Sequence, residues 1–188
     1  GGGRGPTEPL EPLAPPHAPV YAGRATLGRW GVVQRVDITE DASAQALEDL
    51  ENGADSLALT FAEAPTAFGR GLRATTVAAL AEALDGVDLG AIPVHLEAGA
   101  HSLAALALLA ALGERRGTGL GAVHVAADPF ATAAATGHTR PAADSAAELA
   151  ATVRAFGDPG LAGTAFAADG RVAAEAGAAP VEELAFAL

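Results

Sequence analysis

Residues 30–61 read WGVVQRVDITEDASAQALEDLENGADSLALTF, and the fold follows from them. The stretch opens on an apolar run with β-branched residues, 30–38, of strand character. Thr39, Glu40 and Asp41 then offer acceptors for the free N–H groups of a helix start. Residues 42–50 are good helix formers, with Leu47 and Leu50 on one face. Asn52-Gly53 stops the helix, since either residue tolerates the left-handed conformation. Residues 56–61 form a second apolar run of strand length. Strand, helix and strand within about thirty residues make a βαβ unit, which requires parallel strands and a right-handed crossover.

The rest of the chain repeats this plan. A loop with Pro65, Gly69 and Gly71 leads to a helix over 74–84. A third strand is expected at 92–97, then a helix at 101–116 that is apolar nearly all round and so expected to be well buried. Arg115 and Arg116 suit its C-terminal end. A fourth strand follows at 121–126. Asp128 and Pro129 then open a short helix over 129–136, as cap and first residue. A helix at 144–156 capped by Asp144, a fifth strand at 161–168 and a helix at 180–188 complete the series. Strands apolar enough to be covered on both faces, alternating with helices, give an α/β fold with a parallel sheet. A closed barrel of eight such units takes about 250 residues. The expectation is therefore a partial TIM-type (β/α)₈ barrel of about five βα units over 20–188. A complete doubly wound sheet of flavodoxin type is the alternative. A barrel cut after five units would leave the first and fifth strands with unpaired edges.

Composition narrows the function. The chain has 188 residues, enough for a sizeable core. Its net charge of -12 opposes a nucleic-acid surface, which needs a basic stripe. The absence of cysteine removes disulfides and thiolate metal sites. No apolar run reaches the length of a membrane span, and the N-terminus lacks the plan of a signal peptide, so a cytoplasmic location is expected. Residues 1–19, with their glycines and prolines, are expected to form a disordered arm. With no methionine at position 1, a processed end or a piece of a longer protein is expected.

In folds of this class the chemistry sits at the carboxyl ends of the strands. Arg35 and Asp37, then Glu97, then His124 and Asp128, then Asp169 and Arg171 fall there. His95 and Glu97 share a parity, as do His124 and Asp128. If both sets faced a lumen, two imidazoles and two carboxylates could hold a divalent metal, although the spacings match no compact ligand motif. Core histidines and helix caps explain the same residues, and no bound metal is expected. No P-loop, dinucleotide fingerprint or nucleophile elbow is present.

Four strings carry a resemblance. They are Tyr21-Ala22-Gly23-Arg24 with Trp30 and Gln34; Asp49-Leu50-Glu51-Asn52-Gly53-Ala54-Asp55-Ser56-Leu57; Asp128-Pro129-Phe130 with Ala135-Thr136-Gly137; and Glu175-Ala176-Gly177-Ala178 with Glu182-Glu183-Leu184-Ala185. In this order and spacing they resemble the barrel of the methylmalonyl-CoA mutase family, most closely its small, non-catalytic subunit. The resemblance implies a (β/α)₈ barrel threaded by acyl-CoA and lined by small residues. It also implies the carbon-skeleton isomerisation of methylmalonyl-CoA and succinyl-CoA, with adenosylcobalamin as the radical source in the holoenzyme.

Departures from the catalytic pattern narrow that implication. Catalytic chains of the family carry a tyrosine after the first-strand glutamine, where Arg35 stands here. They carry G-Y-H before the E-A-G-A run, where Gly170-Arg171-Val172 stands here, so valine replaces the substrate-facing histidine. The D-x-H-x-x-G cobalamin-ligand motif does not occur in these residues. The resemblance thus implies a subunit or fragment that binds no cofactor itself, is inactive alone and pairs as a heterodimer with a catalytic chain, which supplies the acyl-CoA contact. Gln34, Arg35, Asp37, Glu97, Asp128 and Arg171 are its expected substrate-side strand ends. An active acyl-CoA mutase with relocated residues is the alternative, and a metal-dependent barrel enzyme using His95, Glu97, His124 and Asp128 a third.

Overall fold

The structure is a computed structural model and describes residues 31–138, 140–157, 159 and 161–188. The proline-rich arm at 1–19, the string at 21–24 and Trp30 lie outside the described residues. β1 (Val33–Val36), α1 (Ala42–Glu51) and β2 (Ser56–Thr60) form the opening βαβ unit. α2 (Val77–Ala83), β3 (Val94–Glu97), α3 (Ser102–Arg116) and β4 (Val123–Val125) repeat it twice. α4 (Pro129–Thr136) and α5 (Ala142–Gly157) lead to β5 (Gly163–Thr164), and α6 (Arg171–Glu175) and α7 (Pro180–Ala187) follow.

The five strands are parallel and lie in the order β1-β2-β3-β4-β5. Right-handed crossovers that all step the same way produce this consecutive order and keep the helices on one face. A doubly wound sheet of flavodoxin type reverses direction, in the order 2-1-3-4-5. No reversal occurs among the described residues, so the topology is that of a (β/α) barrel. The barrel is not closed: among these residues β1 pairs only with β2, and β5 only with β4.

One core holds the assembly. Val36, Leu59, Leu96 and Val125 stand abreast across four strands and are all buried. They pack with Ala46, Leu80, Leu109 and Leu112 from the helices. Burying such side chains contributes about 25 cal/mol per Å² of apolar surface, the main force that fixes sheet against helices.

Local chemistry sets the ends of the elements, with several corrections to the sequence reading. Asp128 caps α4 as expected, accepting from the N–H groups of Phe130 at 3.0 Å and Ala131 at 2.9 Å. Gly53 takes φ +103° past Asn52, the positive φ foreseen for the end of α1. The start of α1 differs: Asp41 is itself left-handed, at φ 59°, and makes no side-chain cap. α5 begins at Ala142, behind Pro141, which places Asp144 in its first turn rather than at its cap. α3 is not buried all round, because Ala104 and Ala107 face out while Ala105, Leu106, Leu109 and Leu112 face in. An alanine-rich face is apolar in sequence yet costs little when exposed. No described helix is long and apolar enough to cross a membrane.

Arg116 does more than end α3. Its Nη2 donates to the carbonyls of Ala81 (3.2 Å) and Leu84 (2.8 Å), and its Nη1 to Val87 (2.9 Å). It thereby satisfies orphan acceptors at the C-terminal end of α2 and joins two neighbouring helices. Arg116→Leu is expected to cost about 2 kcal/mol, read as a lower urea midpoint at unchanged slope. A midpoint equal to that of the parent chain would show that water replaces these bonds without loss.

Candidate functional site

The sheet has a second face, directed away from the helix core, and its residues form rows. Arg35, Ala58, His95, His124 and Thr164 stand abreast from β1 to β5. One step nearer the strand ends, Thr60 is abreast of Glu97. In a barrel this face lines the lumen. Parallel strands present equivalent positions to the same side, so these side chains meet although they lie far apart in sequence.

Glu97 and Arg171 are the centre of the site. The Arg171 guanidinium donates through Nη1 to Glu97 Oε1 at 3.0 Å. It also grips Asp169 with two bonds of 2.8 Å, Nε to Oδ1 and Nη2 to Oδ2. The other Glu97 oxygen, Oε2, accepts from the hydroxyls of Thr66 at 2.9 Å and Thr60 at 3.2 Å. Asp128 adds a further tie, since its Oδ2 accepts from the Asp169 N–H at 2.9 Å while Oδ1 caps α4. The ends of β2, β3 and β4 and the start of α6 are thus joined by one charged network. Such paired, hydrogen-bonded carboxylates are far better held than isolated ones.

A second cluster lies at β1. Arg35 Nη2 donates to the Thr66 carbonyl, and its Nε stands 3.4 Å from Asp37 Oδ2. The Asp37 carbonyl in turn accepts from the Gly71 N–H at 2.6 Å. Gly71 takes φ +106°, and a Cβ there would lie 2.7 Å from the Ala62 backbone, so the loop closes on β1 only with glycine. Arg35, Thr66, Phe68, Arg171 and Val172 line a cleft of about 520 Å³ between the two clusters.

Charge follows geometry. Burial alone would raise the Glu97 carboxyl, but the Arg171 bond and charge and the two threonine hydroxyls outweigh it and hold Glu97 below its ordinary 4.5. Burial and Arg171 act likewise on Asp169, which is held below 3.8. The hydrogen bonds that the Arg171 guanidinium donates to Asp169, against the opposing effect of burial and joined by Glu97, raise it further. His95 is lowered from 6.5, first by burial and then by the neighbouring His124, with Glu97 opposing.

The sign of the pH dependence follows. A carboxylate whose folded value is depressed stabilises the fold fully above its unfolded value and loses that contribution as pH falls through the folded one. Unfolding midpoints are therefore expected to be level from pH 7 to about 5 as far as these two groups are concerned, and to fall below about 4.5. Arg171→Leu should lower the midpoint at pH 7 and flatten the acid limb, because burial then raises both carboxyls. An acid limb of unchanged steepness in that variant would contradict the network.

The structure sorts the expected site residues. Arg35, Glu97, His95 and His124 share the inner face, and Asp37, Asp128 and Arg171 stand at the strand ends around it. Gln34 does not join them: it is abreast of buried Leu57 on the helix side, and its Nε2 donates to Asp49 of α1 at 3.0 Å. The metal constellation does not form either. His95 and His124 stack with centroids 4.5 Å apart, but Glu97 is committed to Arg171 and Asp128 to α4 and Asp169. No group of three or more potential ligands is gathered among the described residues. Thr60 and Thr66 were missed. Thr60 could have been found from its position two residues beyond Ala58 on the inner face, whereas Thr66 lies in a single 3₁₀ turn, Pro65–Ala67, too short to carry any periodic signal.

A family model for methylmalonyl-CoA mutase matches residues 16–188. Over 165 residues the chain is 38% identical to the methylmalonyl-CoA mutase small subunit of Streptomyces virginiae, which covers 85% of this chain. The chain spans 24% of that relative's length. The open (β/α) sheet, with its charged strand-end network, accordingly belongs to the methylmalonyl-CoA mutase family.

Proposed function

We propose that the chain is part of a non-catalytic small subunit, which supports a catalytic mutase chain in the interconversion of methylmalonyl-CoA and succinyl-CoA. The observation that carries this reading is the inner face of the sheet. The resemblance places small residues along an acyl-CoA channel, with a tyrosine and a histidine at its reacting end. Here the same face carries Arg35, His95, His124 and Glu97, and the Arg171 network crosses the strand ends. Val172, at the histidine position, can neither donate nor accept a hydrogen bond. Charged groups already paired with one another are poor recruits for substrate, because each new contact must first break an existing one.

The family implies adenosylcobalamin, which supplies a radical when bound. The described residues do not fit its seat. The cobalt-ligating imidazole of the family lies in a D-x-H-x-x-G run, which these residues do not contain, and His95 and His124 stand instead on adjacent strands, stacked ring on ring. In this reading the cofactor and the acyl-CoA belong to the catalytic partner.

The test is assembly. The intact protein, co-expressed with a tagged catalytic mutase chain, should co-purify in one-to-one stoichiometry and raise that chain's thermal midpoint. A catalytic chain recovered alone, with full stability and full turnover, would overturn the proposal.

A further inference from the structure

β5 is the least secured strand of the sheet. Only Gly163 and Thr164 pair with β4, and the Val123 N–H donates to the Ala162 carbonyl at 2.7 Å beside them. Gly163 is seated so closely that an added Cβ would lie 1.9 Å from the Val123 carbonyl oxygen. One side-chain bond reinforces the pairing, between His124 Nδ1 and Thr164 Oγ1 at 3.2 Å. The His124 ring that makes it lies on the His95 ring, with centroids 4.5 Å apart and planes inclined by 21°. We propose that this stacked histidine pair is an acid-operated fastening: the neutral rings hold β5 on β4, and protonation releases β5 together with the segment that carries Asp169 to the strand ends.

The physical argument is one of charge at short range. Two neutral imidazoles stack at little cost, whereas two imidazolium ions at this separation repel, and a half-buried site screens them poorly. Among the described residues facing the pair, Glu97 alone supplies a counter-charge to His95. From β2, Ala58 stands abreast of His95 and carries none. From β1, Arg35 closes the row with a further positive charge. From β5 comes only the Thr164 hydroxyl. Glu97, two residues along β3, is the carboxylate that acts on His95, and it is already matched by Arg171 of α6. Burial and His124 accordingly set His95 against protonation more strongly than Glu97 favours it. The sign is that of a base depressed in the fold, whose neutral-form stability is present above 6.5 and lost as pH falls below it.

This inference does not depend on the proposed role in the mutase, and hydrogen exchange tests it in the intact protein. After correction for intrinsic rates, protection of the Val123 amide should fall at least about threefold between pH 7.5 and 5.5, because His95 resists protonation in the fold and not in the released segment. The Val94 amide, which donates to Ala122 between β3 and β4, should change less than about twofold over the same interval. His95→Gln should abolish the pH effect at Val123. Equal protection at both pH values, or an undiminished effect in His95→Gln, would overturn the proposal. If that variant does not fold, titration of the His95 ring by NMR in the parent protein decides. A midpoint below 6.5, with a parallel shift at Thr164, supports the fastening, and a midpoint at or above 6.5 refutes it.

Discussion

Leu96→Ala is expected to lower the stability of the fold by about 3 kcal/mol. Leu96 is fully buried at the middle of the sheet, abreast of Leu59 on β2 and Val125 on β4. It belongs to the cluster that joins the strands to Leu80 and Leu109 of the helix layer. Truncation removes three carbons from a packed interior and leaves a cavity that fixed strands on both sides cannot fill. The thermal midpoint should fall by roughly 10 °C for a domain of this size. A fall of less than about 3 °C would mean that the helix layer collapses onto the gap, and the core would be looser than described.

Gly121→Ala should be as damaging, by about 3 kcal/mol, although it adds only a methyl group. A Cβ at Gly121 would lie 2.3 Å from the Ile92 carbonyl oxygen and 2.9 Å from its carbon. These are backbone atoms at the approach to β3 and cannot swing aside as a side chain would. The Gly121 N–H donates to the Leu89 carbonyl at 2.7 Å, so the turn that brings β4 beside β3 depends on the same close approach. Urea titration should show a lower midpoint, and hydrogen exchange should show the loss concentrated at Val94, whose amide donates to Ala122. A variant as stable as the parent, with Val94 fully protected, would refute the proposed contact.

Much of this fold could be read directly from the residues. The opening βαβ unit was legible because Asn52-Gly53 separates a helical stretch from a short apolar run, and Asp128-Pro129 marks the next helix start just as clearly. Strand lengths were less legible. Residues 161–168 look like a strand of eight, yet only Gly163 and Thr164 pair, since the facing β4 offers only three residues and β5 has one neighbour. The facing of Gln34 was hidden for a related reason. A strand destined for a parallel sheet reads as a continuous apolar run, so alternation does not reveal which side meets the helices. Register supplied that answer, by setting Gln34 beside Leu57 and Arg35 beside Ala58.

The candidate site was legible as a set of residues and not as an arrangement. Arg35, Glu97, Asp128 and Arg171 each stood at a strand end by position alone. The pairing of Glu97 with Arg171 spans 74 residues and exists only after β3 and the segment following β5 converge. No local pattern signals a partner at that distance. The same convergence changed the meaning of the histidines. Parity joined His95 to Glu97 and His124 to Asp128, each along its own strand; register sets the two rings abreast on one face and stacks them instead of aiming them at a common ion.

We propose that the charged inner face, with Arg35 and Val172 where the resemblance places a tyrosine and a histidine, leaves this chain without catalysis of its own. The most direct measurement is turnover of methylmalonyl-CoA by the intact protein, purified without any other mutase chain and supplied with adenosylcobalamin. No succinyl-CoA above the level without protein is expected, with turnover only when a catalytic mutase chain is added. Sustained formation of succinyl-CoA by the protein alone would contradict it.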